Sequence, residues 1–208
     1  MRERSLTKRR LFGLDRSGPP PTATLAGQPL NPWTLPNAIG FLRALLIPTF
    51  LVLEYSSPHG RDALAVALFF LAGIGDYADG IAARVTGQYS RLGTLLDPVV
   101  DRALVIAGLA VCWSFDLLAS WAIATLLARE LVMLLVGQAW VRRGLEFRIN
   151  WPGRIAVGPT MLGIFLGLAG VREVGDGFLY AGLALAWIAT ASYLREGLQQ
   201  RRSLSSSA

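Results

Sequence analysis

Four aspartates, arranged as two pairs, are the residues of this sequence best suited to chemistry. Asp76 and Asp79 are three positions apart, and Asp97 and Asp101 are four apart. In helices, each pair shares one face. Hard divalent cations prefer oxygen ligands, and pairs of such ions serve displacements at phosphorus. The two pairs therefore favour metal-dependent phosphoryl chemistry.

Small residues accompany both pairs. Gly80 and Ala83 continue the helical stripe of the first pair, and Gly93 precedes the second. Such a strip lets a bulky or phosphorylated ligand approach the backbone, although small residues also favour tight helix packing in membranes. The residues between the pairs, 84–92, form a short connection, so the two helices are expected to be antiparallel neighbours with their acids at one level.

Two other interpretations of the acids remain open from the residues alone. The aspartates pair with Arg84, Arg102 and Arg129 as structural ion pairs, or they line a cation or proton path. A transporter typically shows inverted repeats or broken helices in both halves. Here the second half offers only Glu130 within a predicted helix.

The elements that position these residues are predicted to be transmembrane helices. The chain has 208 residues, of which 53% are hydrophobic and 16% charged, with a mean hydropathy of +0.45; a soluble domain carries roughly 25% charge. Apolar runs of about bilayer length recur at 36–56, 63–83, 92–114, 117–141, 155–171 and 177–195. We predict an all-α polytopic membrane protein with six transmembrane helices.

Basic residues predict the orientation of these helices, because cytoplasmic flanks hold most Lys and Arg. One side receives only Arg61 and Arg172. The other side receives Arg2, Arg4, Lys8, Arg9, Arg10, Arg16, Arg84, Arg91, Arg142, Arg143, Arg148, Arg154, Arg195, Arg201 and Arg202. This asymmetry predicts an N-in/C-in topology, with both acidic pairs near the cytoplasmic side.

The segments around the helices divide the chain into three parts. Residues 1–32 are predicted to form a disordered basic cytoplasmic tail, 33–196 the membrane domain, and 197–208 a short polar C-terminal tail. The net charge of +6 and the pI of about 10.2 follow from the positive-inside bias. No nucleic-acid partner is expected, because the basic tail lacks interleaved aromatic residues.

The acidic region resembles the signature of the CDP-alcohol phosphatidyltransferase family, D-x2-D-G-x2-A-R-x8-G-x3-D-x3-D. Every spacing is met, by Asp76, Asp79, Gly80, Ala83, Arg84, Gly93, Asp97 and Asp101. The predicted six-helix, N-in topology is also similar to that family. The resemblance extends over about residues 33–196.

This resemblance implies transfer of a phosphatidyl group from CDP-diacylglycerol to an alcohol, with release of CMP. It also implies a homodimer among membrane lipids, in the cell (inner or plasma) membrane, with the active site facing the cytoplasm. Two divalent cations, Mg²⁺ or Mn²⁺, would be held by Asp76, Asp79 and Asp97, with Asp101 at the same metal site as the general base. Gly80, Ala83, Arg84 and Asn37 would lie along the cytidine diphosphate. Asn37 follows Pro36, so plain helix-start chemistry is an alternative role for it.

The alcohol acceptor is predicted less directly. The sequences at 35–37, 95–98 and 128–130 are similar to those of family members that use glycerol 3-phosphate, and of members that make cardiolipin from phosphatidylglycerol. Arg129 and Arg154 are the predicted acceptor-binding residues, with an ion pair to Glu130 as the alternative for Arg129. The fifth helix lacks the Lys-Thr-x-x-Gln-like start common in glycerol-3-phosphate enzymes. Glycerol 3-phosphate is the expected acceptor, followed by phosphatidylglycerol and then an inositol phosphate.

Overall fold

The chain is all-helical wherever its structure is described. The computed structural model describes residues 22–25, 27–141 and 151–206. Within them lie six α-helices, which are α1 (Leu35–Ser56), α2 (Ala63–Thr86), α3 (Arg91–Ser114), α4 (Ser120–Val141), α5 (Trp151–Leu168) and α6 (Arg172–Ser206). A short 3-10 helix at Thr22–Thr24 precedes α1, and those same stretches contain no strand. The prediction of an all-α fold is confirmed.

The helices follow the predicted apolar runs, with differences at their ends. Helices α5 and α6 begin at Trp151 and Arg172, several residues before the apolar runs start, because polar residues join the first turns. Helix α6 continues to Ser206 through most of the predicted C-terminal tail. The last residues of the predicted N-terminal tail, 28–32, are hydrogen-bonded to α1 and α3. Residues 1–21, and with them most of that tail, lie outside the described residues, as do Arg142, Arg143 and Arg148.

Three helices of the described chain are long and apolar enough to cross a membrane, at Leu35–Ser56, Ala63–Thr86 and Arg172–Tyr193. A shorter apolar helix covers Ala156–Leu168. Helix α3 is not among the three because each of its 18-residue windows contains Asp97, Asp101 and Arg102. Large apolar side chains stand exposed along the helices, including Leu45 at 66% and Val99 at 64%. Such surfaces are typical of helices that face lipid rather than water.

The chain divides into two compact units, Met1–Ala107 and Gly108–Ala208. In the first unit α1 packs along α2. The rings of Phe50 and Phe69 lie at the centre of this packing, with centroids 5.3 Å apart and planes inclined at 48°. At one end of the pair, Asp62 caps α2 by accepting a hydrogen bond from the Ala65 amide, and its own amide donates to buried Glu54.

The other end of α2 leads into α3 through four residues, 87–90. Gly87 terminates α2 in the left-handed conformation, with φ of 67°, which costs a glycine little. Ser90 then begins α3, because its Oγ accepts a hydrogen bond from the Gly93 amide at 2.9 Å. This short connection brings the two acidic pairs to the same end of the first unit.

In the second unit α5 packs closely along α6. A Cβ atom on Gly163 would lie 2.8 Å from the Leu179 amide nitrogen and 2.9 Å from the Gly175 carbonyl oxygen. A Cβ on Gly167 would lie 2.7 Å from the side chain of Leu118. The Gly163-x3-Gly167 pattern therefore serves packing within this chain, where the backbones approach closely.

The turn between α3 and α4 is fastened to the start of α6. The Arg172 guanidinium donates to the Asp116 carbonyl oxygen at 2.7 Å and to its carboxylate at 3.2 Å. Asp176 accepts from the Ala119 amide at 2.7 Å, which satisfies a free donor at the beginning of α4. These contacts fix the end of the second unit that lies away from Val141.

The close approach of α5 and α6 predicts that Gly163→Ala destabilises the second unit. The added methyl group meets backbone atoms that cannot rotate away, so the helices must separate, at a cost of about 1–3 kcal/mol. Gly158→Ala on the same helix is the matched control, because a Cβ there meets nothing within 4 Å. Thermal unfolding in detergent should show a lower Tm for Gly163→Ala alone. Equal Tm values for the two variants would contradict this packing.

Candidate active site

The buried guanidinium of Arg43, on α1, joins three of the four predicted aspartates. Its Nη1 donates to Asp79 Oδ2 at 2.9 Å and lies 3.5 Å from Asp76 Oδ1, while Nη2 donates to Asp101 Oδ1 at 2.5 Å. Asp76 and Asp79 come from α2, and Asp101 comes from α3. One cation thus connects all three helices of the first unit.

Contacts with the backbone of α2 fix the position of the Arg43 side chain. Its Nε donates to the Ala72 carbonyl oxygen at 2.9 Å, one helical turn before Asp76. The Arg43 side chain lies flat against Gly75, where a Cβ would be 2.7 Å from Arg43 Cδ. The side chain is 2% exposed. Every nitrogen of the guanidinium therefore has a partner in the first unit.

The aspartates differ sharply in their exposure. The side chain of Asp79 is 7% exposed, whereas those of Asp76 and Asp101 are 52% and 41% exposed. Arg43 therefore contacts the carboxylates from the buried side and leaves Asp76 and Asp101 open on the other. The structure shows that Arg43 pairs with three of the aspartates, a cation that the predicted structural ion pairs with Arg84, Arg102 and Arg129 did not include.

A pocket of about 80 Å³ borders this cluster. It brings together six of the residues predicted from the signature and the first helix, namely Asn37, Asp79, Gly80, Ala83, Gly93 and Asp97. The remaining lining comes from Thr24, Pro36, Gln88, Tyr89, Ser90 and Thr94. The predicted small residues and two of the predicted carboxylates therefore share one concave surface within the first unit.

Asn37 occupies the centre of a hydrogen-bond network at the edge of this pocket. It is 1% exposed. Its Nδ2 donates to the carbonyl oxygens of Asn31 and Pro32, at 2.9 and 3.1 Å, and its Oδ1 accepts from Ser90 Oγ at 2.8 Å. A Cβ on Gly93 would lie 2.8 Å from the same Oδ1. Asn37 therefore fastens the segment before α1 to the start of α3, and Gly93 leaves it room.

Arg84, the predicted phosphate-binding cation, lies over Gly80. A Cβ on Gly80 would be 3.3 Å from Arg84 Nη2. The last turn of α2 thus carries the guanidinium directly beside the small residue that lines the pocket. This arrangement agrees with a shared role for the two residues toward an anionic ligand.

Several lining residues were not predicted from the sequence. Ser90 stands three positions before Gly93, and this spacing is the ordinary signal of a helix N-cap. Gln88 accepts a hydrogen bond from the Leu35 amide through Oε1 at 3.0 Å, and no local pattern indicates such a contact. Arg43, which contacts the aspartates rather than lining the pocket, was recognisable as a charge inside an apolar helix, but the sequence did not indicate its partners.

The two predicted acceptor-binding arginines belong to the second unit. Arg129 forms an ion pair with Glu130, and its Nε donates to Thr190 Oγ1 on α6 at 2.9 Å. The pair with Glu130 was the alternative role for this residue. Arg154 lies in the first turn of α5, and its side chain falls outside the described residues.

The donor chemistry of the aspartate cluster fits divalent cations. Carboxylate oxygens are the ligands that Mg²⁺ and Mn²⁺ prefer, and Arg43 offsets only one of four negative charges. In the part of the chain that is described, no three acidic, histidine or cysteine side chains are already grouped to hold an ion. The exposed side chains of Asp76 and Asp101 are the ones that an ion reaches from solvent.

A scan against protein families places these residues in context. Residues 33–192 match the family model of the CDP-alcohol phosphatidyltransferases. The chain belongs to this family. The match includes the whole signature between Asp76 and Asp101 and all six helices except the end of α6. Together with the apolar helices, it identifies the chain as a membrane protein.

Curated relatives of this chain carry two kinds of name. The chain is 35% identical to a putative cardiolipin synthase of Mycobacterium tuberculosis over 133 residues, 62% of each protein. It is 34% identical over 59% of each chain to a cardiolipin synthase (CMP-forming) of Streptomyces coelicolor. It is 31% identical over 180 residues to a probable phosphatidylglycerophosphate synthase of M. tuberculosis, covering 84% of this chain and 85% of the relative. The match thus spans about three-fifths of the cardiolipin-synthase relatives.

The Asn37 network predicts that Asn37→Asp loosens the segment before α1. The carboxylate cannot donate to the Asn31 and Pro32 carbonyl oxygens, and it places a charge in a buried site. Hydrogen exchange followed by mass spectrometry should show faster exchange in residues 28–36. Gln28→Ala is the control, because the hydrogen bonds that the structure shows for Gln28, to the Leu25 carbonyl oxygen and from Arg91, use its backbone. Unchanged exchange in the Asn37 variant would contradict the positioning role.

Proposed function

We propose that this chain transfers the phosphatidyl group of CDP-diacylglycerol to an alcohol and releases CMP. The observation that carries the proposal is that seven of the eight signature residues line one pocket or contact one buried guanidinium, inside the family match, while Arg84 lies beside Gly80. The aspartates supply acid–base and cation-binding groups, and the small residues leave room for a ligand to approach the helix backbone.

Asp101 is the proposed general base. Its Oδ1 is held by Arg43, and the second oxygen, Oδ2, takes the proton of the acceptor hydroxyl. The hydroxyl oxygen then attacks the phosphorus that carries diacylglycerol. The bond from this phosphorus to the bridging oxygen breaks, and that oxygen leaves with CMP. Proximity of Asp101 to the hydroxyl, rather than strong basicity, supplies its contribution.

Asp76, Asp79 and Asp97 are proposed to hold two divalent cations, Mg²⁺ or Mn²⁺, with Asp101 beside them as a further ligand. Bound there, such ions screen the phosphate charge and stabilise the leaving group. Gly80 and Ala83 allow the diphosphate to approach the backbone of α2.

Two further residues complete the proposed nucleotide site. Arg84 neutralises a phosphate oxygen. Asn37, predicted as a CDP-binding residue, contributes by positioning the pocket wall, because its amide already has three protein partners.

Glycerol 3-phosphate is the proposed acceptor, with Arg129 and Arg154 as the cations for its phosphate. The relative that matches over 84% of this chain is named a phosphatidylglycerophosphate synthase, and this supports the proposal. Phosphatidylglycerol, which would give cardiolipin, is the second candidate. It is favoured by the cardiolipin-synthase relatives, which are 34–35% identical to this chain, and by the absence of a Lys-Thr-x-x-Gln-like start in α5. Both acceptors present a hydroxyl of a glycerol that carries a phosphate.

We also propose the membrane placement. All six helices span the cell membrane, with both termini and the pocket on the cytoplasmic side, as the distribution of basic residues favours. The surrounding lipids are the source of CDP-diacylglycerol. A homodimer is proposed from the family resemblance alone.

The proposed general base predicts that Asp101→Asn lowers the rate of CMP release by about 10²–10⁴-fold, and that Asp97→Asn does so as strongly. CMP release is measured with purified protein in detergent, CDP-diacylglycerol and Mg²⁺ or Mn²⁺. Asp62→Asn is the matched control, since asparagine caps a helix as well as aspartate and this residue lies at the other end of α2. Full activity of either site variant would contradict the mechanism.

The acceptor proposal predicts CMP release with glycerol 3-phosphate in preference to phosphatidylglycerol and inositol phosphate. The three acceptors are supplied in separate reactions with the same enzyme, and the lipid products are identified by mass spectrometry. Release with phosphatidylglycerol alone would replace the first candidate with the second. If the folded protein releases no CMP with any of the three alcohols, the transport interpretation of the aspartates is favoured.

A further inference from the structure

We propose that Arg43 is a positioning residue that holds the carboxylates of the metal site from their buried side and thereby sets the affinity for the divalent cation. The inference rests on the proposed function, in that it assumes the aspartates to be metal ligands. It assigns a role to a first-helix residue that lies outside the acidic signature.

Arg43 contacts carboxylates on two different helices, as a residue that positions them must. Nη1 is shared by Asp76 and Asp79 on α2, and Nη2 binds Asp101 on α3. Each of the three contacts uses one carboxylate oxygen, so each carboxylate retains a second oxygen. Planar guanidinium groups suit such fixed, multiple contacts, whereas a lysine ammonium is a single point of charge.

Arg43 is also anchored independently of the carboxylates. The hydrogen bond from Nε to the Ala72 carbonyl oxygen and the flat contact with Gly75 fix the guanidinium against α2. A group that merely neutralised charge would need no such support. Because the guanidinium is held against the α2 backbone, it fixes the position of Asp101, on α3, relative to α2.

Exposure places Arg43 and a bound cation on opposite sides of the carboxylates. The Arg43 side chain is 2% exposed, whereas Asp76 is 52% exposed. An ion arriving from solvent therefore meets the outward oxygens first. Partners behind metal ligands orient them in this way, and their loss typically weakens metal binding by about 10–100-fold.

The direction in which Mn²⁺ affinity changes when Arg43 is replaced distinguishes a positioning role from a purely electrostatic one. Removing a positive charge near a cation site strengthens cation binding by Coulomb's law. Loss of positioning weakens it, because the carboxylates must then be ordered when the ion binds. Arg43→Gln is therefore expected to bind Mn²⁺ about 10–100-fold more weakly than the unmodified chain, against the electrostatic trend.

The experiment titrates Mn²⁺ into purified full-length protein in detergent and measures bound and free ion by electron paramagnetic resonance. Arg61→Gln is the matched control, because Arg61 is exposed, carries the same charge and lies before the start of α2, away from the aspartates. It should bind Mn²⁺ as tightly as the unmodified chain or more tightly. Arg43→Lys keeps the charge without the fork of donors, and it should also bind more weakly.

Gly75→Ala tests the same inference without altering any charge. Its methyl group would lie 2.7 Å from Arg43 Cδ, so the guanidinium must shift. This variant should weaken Mn²⁺ binding in the same direction as Arg43→Gln, and it serves in its place if Arg43→Gln does not fold.

Two outcomes would overturn the inference in distinguishable ways. Unchanged or tighter Mn²⁺ binding by folded Arg43→Gln or Gly75→Ala, with normal binding by the unmodified chain, would overturn the positioning role alone. Failure of the unmodified, folded chain to bind Mn²⁺ would overturn the metal assignment in the proposed function and this inference with it.

Discussion

Burial of a charged cluster among apolar helices is the constraint on which the first unit depends. A carboxylate without a partner inside an apolar environment is costly, and removal of one member of a buried pair typically costs about 3–5 kcal/mol. Arg43 meets this constraint for Asp79, which is 7% exposed, and it also contacts the half-exposed Asp76 and Asp101, at distances of 2.5–3.5 Å. Because the contacts reach two helices, the cation that neutralises the cluster also fixes α1 against α2 and α3.

Helix geometry makes this arrangement available. Arg43 lies eight residues after the start of α1, and Asp101 lies ten after the start of α3. Asp79 lies seven residues before the end of α2. At about 1.5 Å per residue, each charge stands roughly 10–15 Å from the same end of the unit. The absence of a side chain at Gly75 then lets the guanidinium reach its partners without separating the helices.

The two units are stabilised by different contacts, the first by polar side-chain contacts and the second by close backbone packing. In the first, the Asn37 and Ser90 side chains secure the short connection beside the pocket, where a cleft removes part of the usual apolar packing. In the second, α5 and α6 approach through Gly163 and Gly175 and leave little space between them. One chain thus combines a pocket supported by hydrogen bonds with a closely packed helix pair.

The sequence by itself determined the all-helical class, the helix positions to within several residues, the faces on which the aspartates lie, and the family. Each of these depends on local periodicity or on a motif of 26 residues, from Asp76 to Asp101. Tertiary structure alone decided that Arg43 pairs with three of the aspartates. The partners are 33, 36 and 58 residues apart, and such pairing is set by how whole helices pack and by the space at Gly75, neither of which a local pattern encodes.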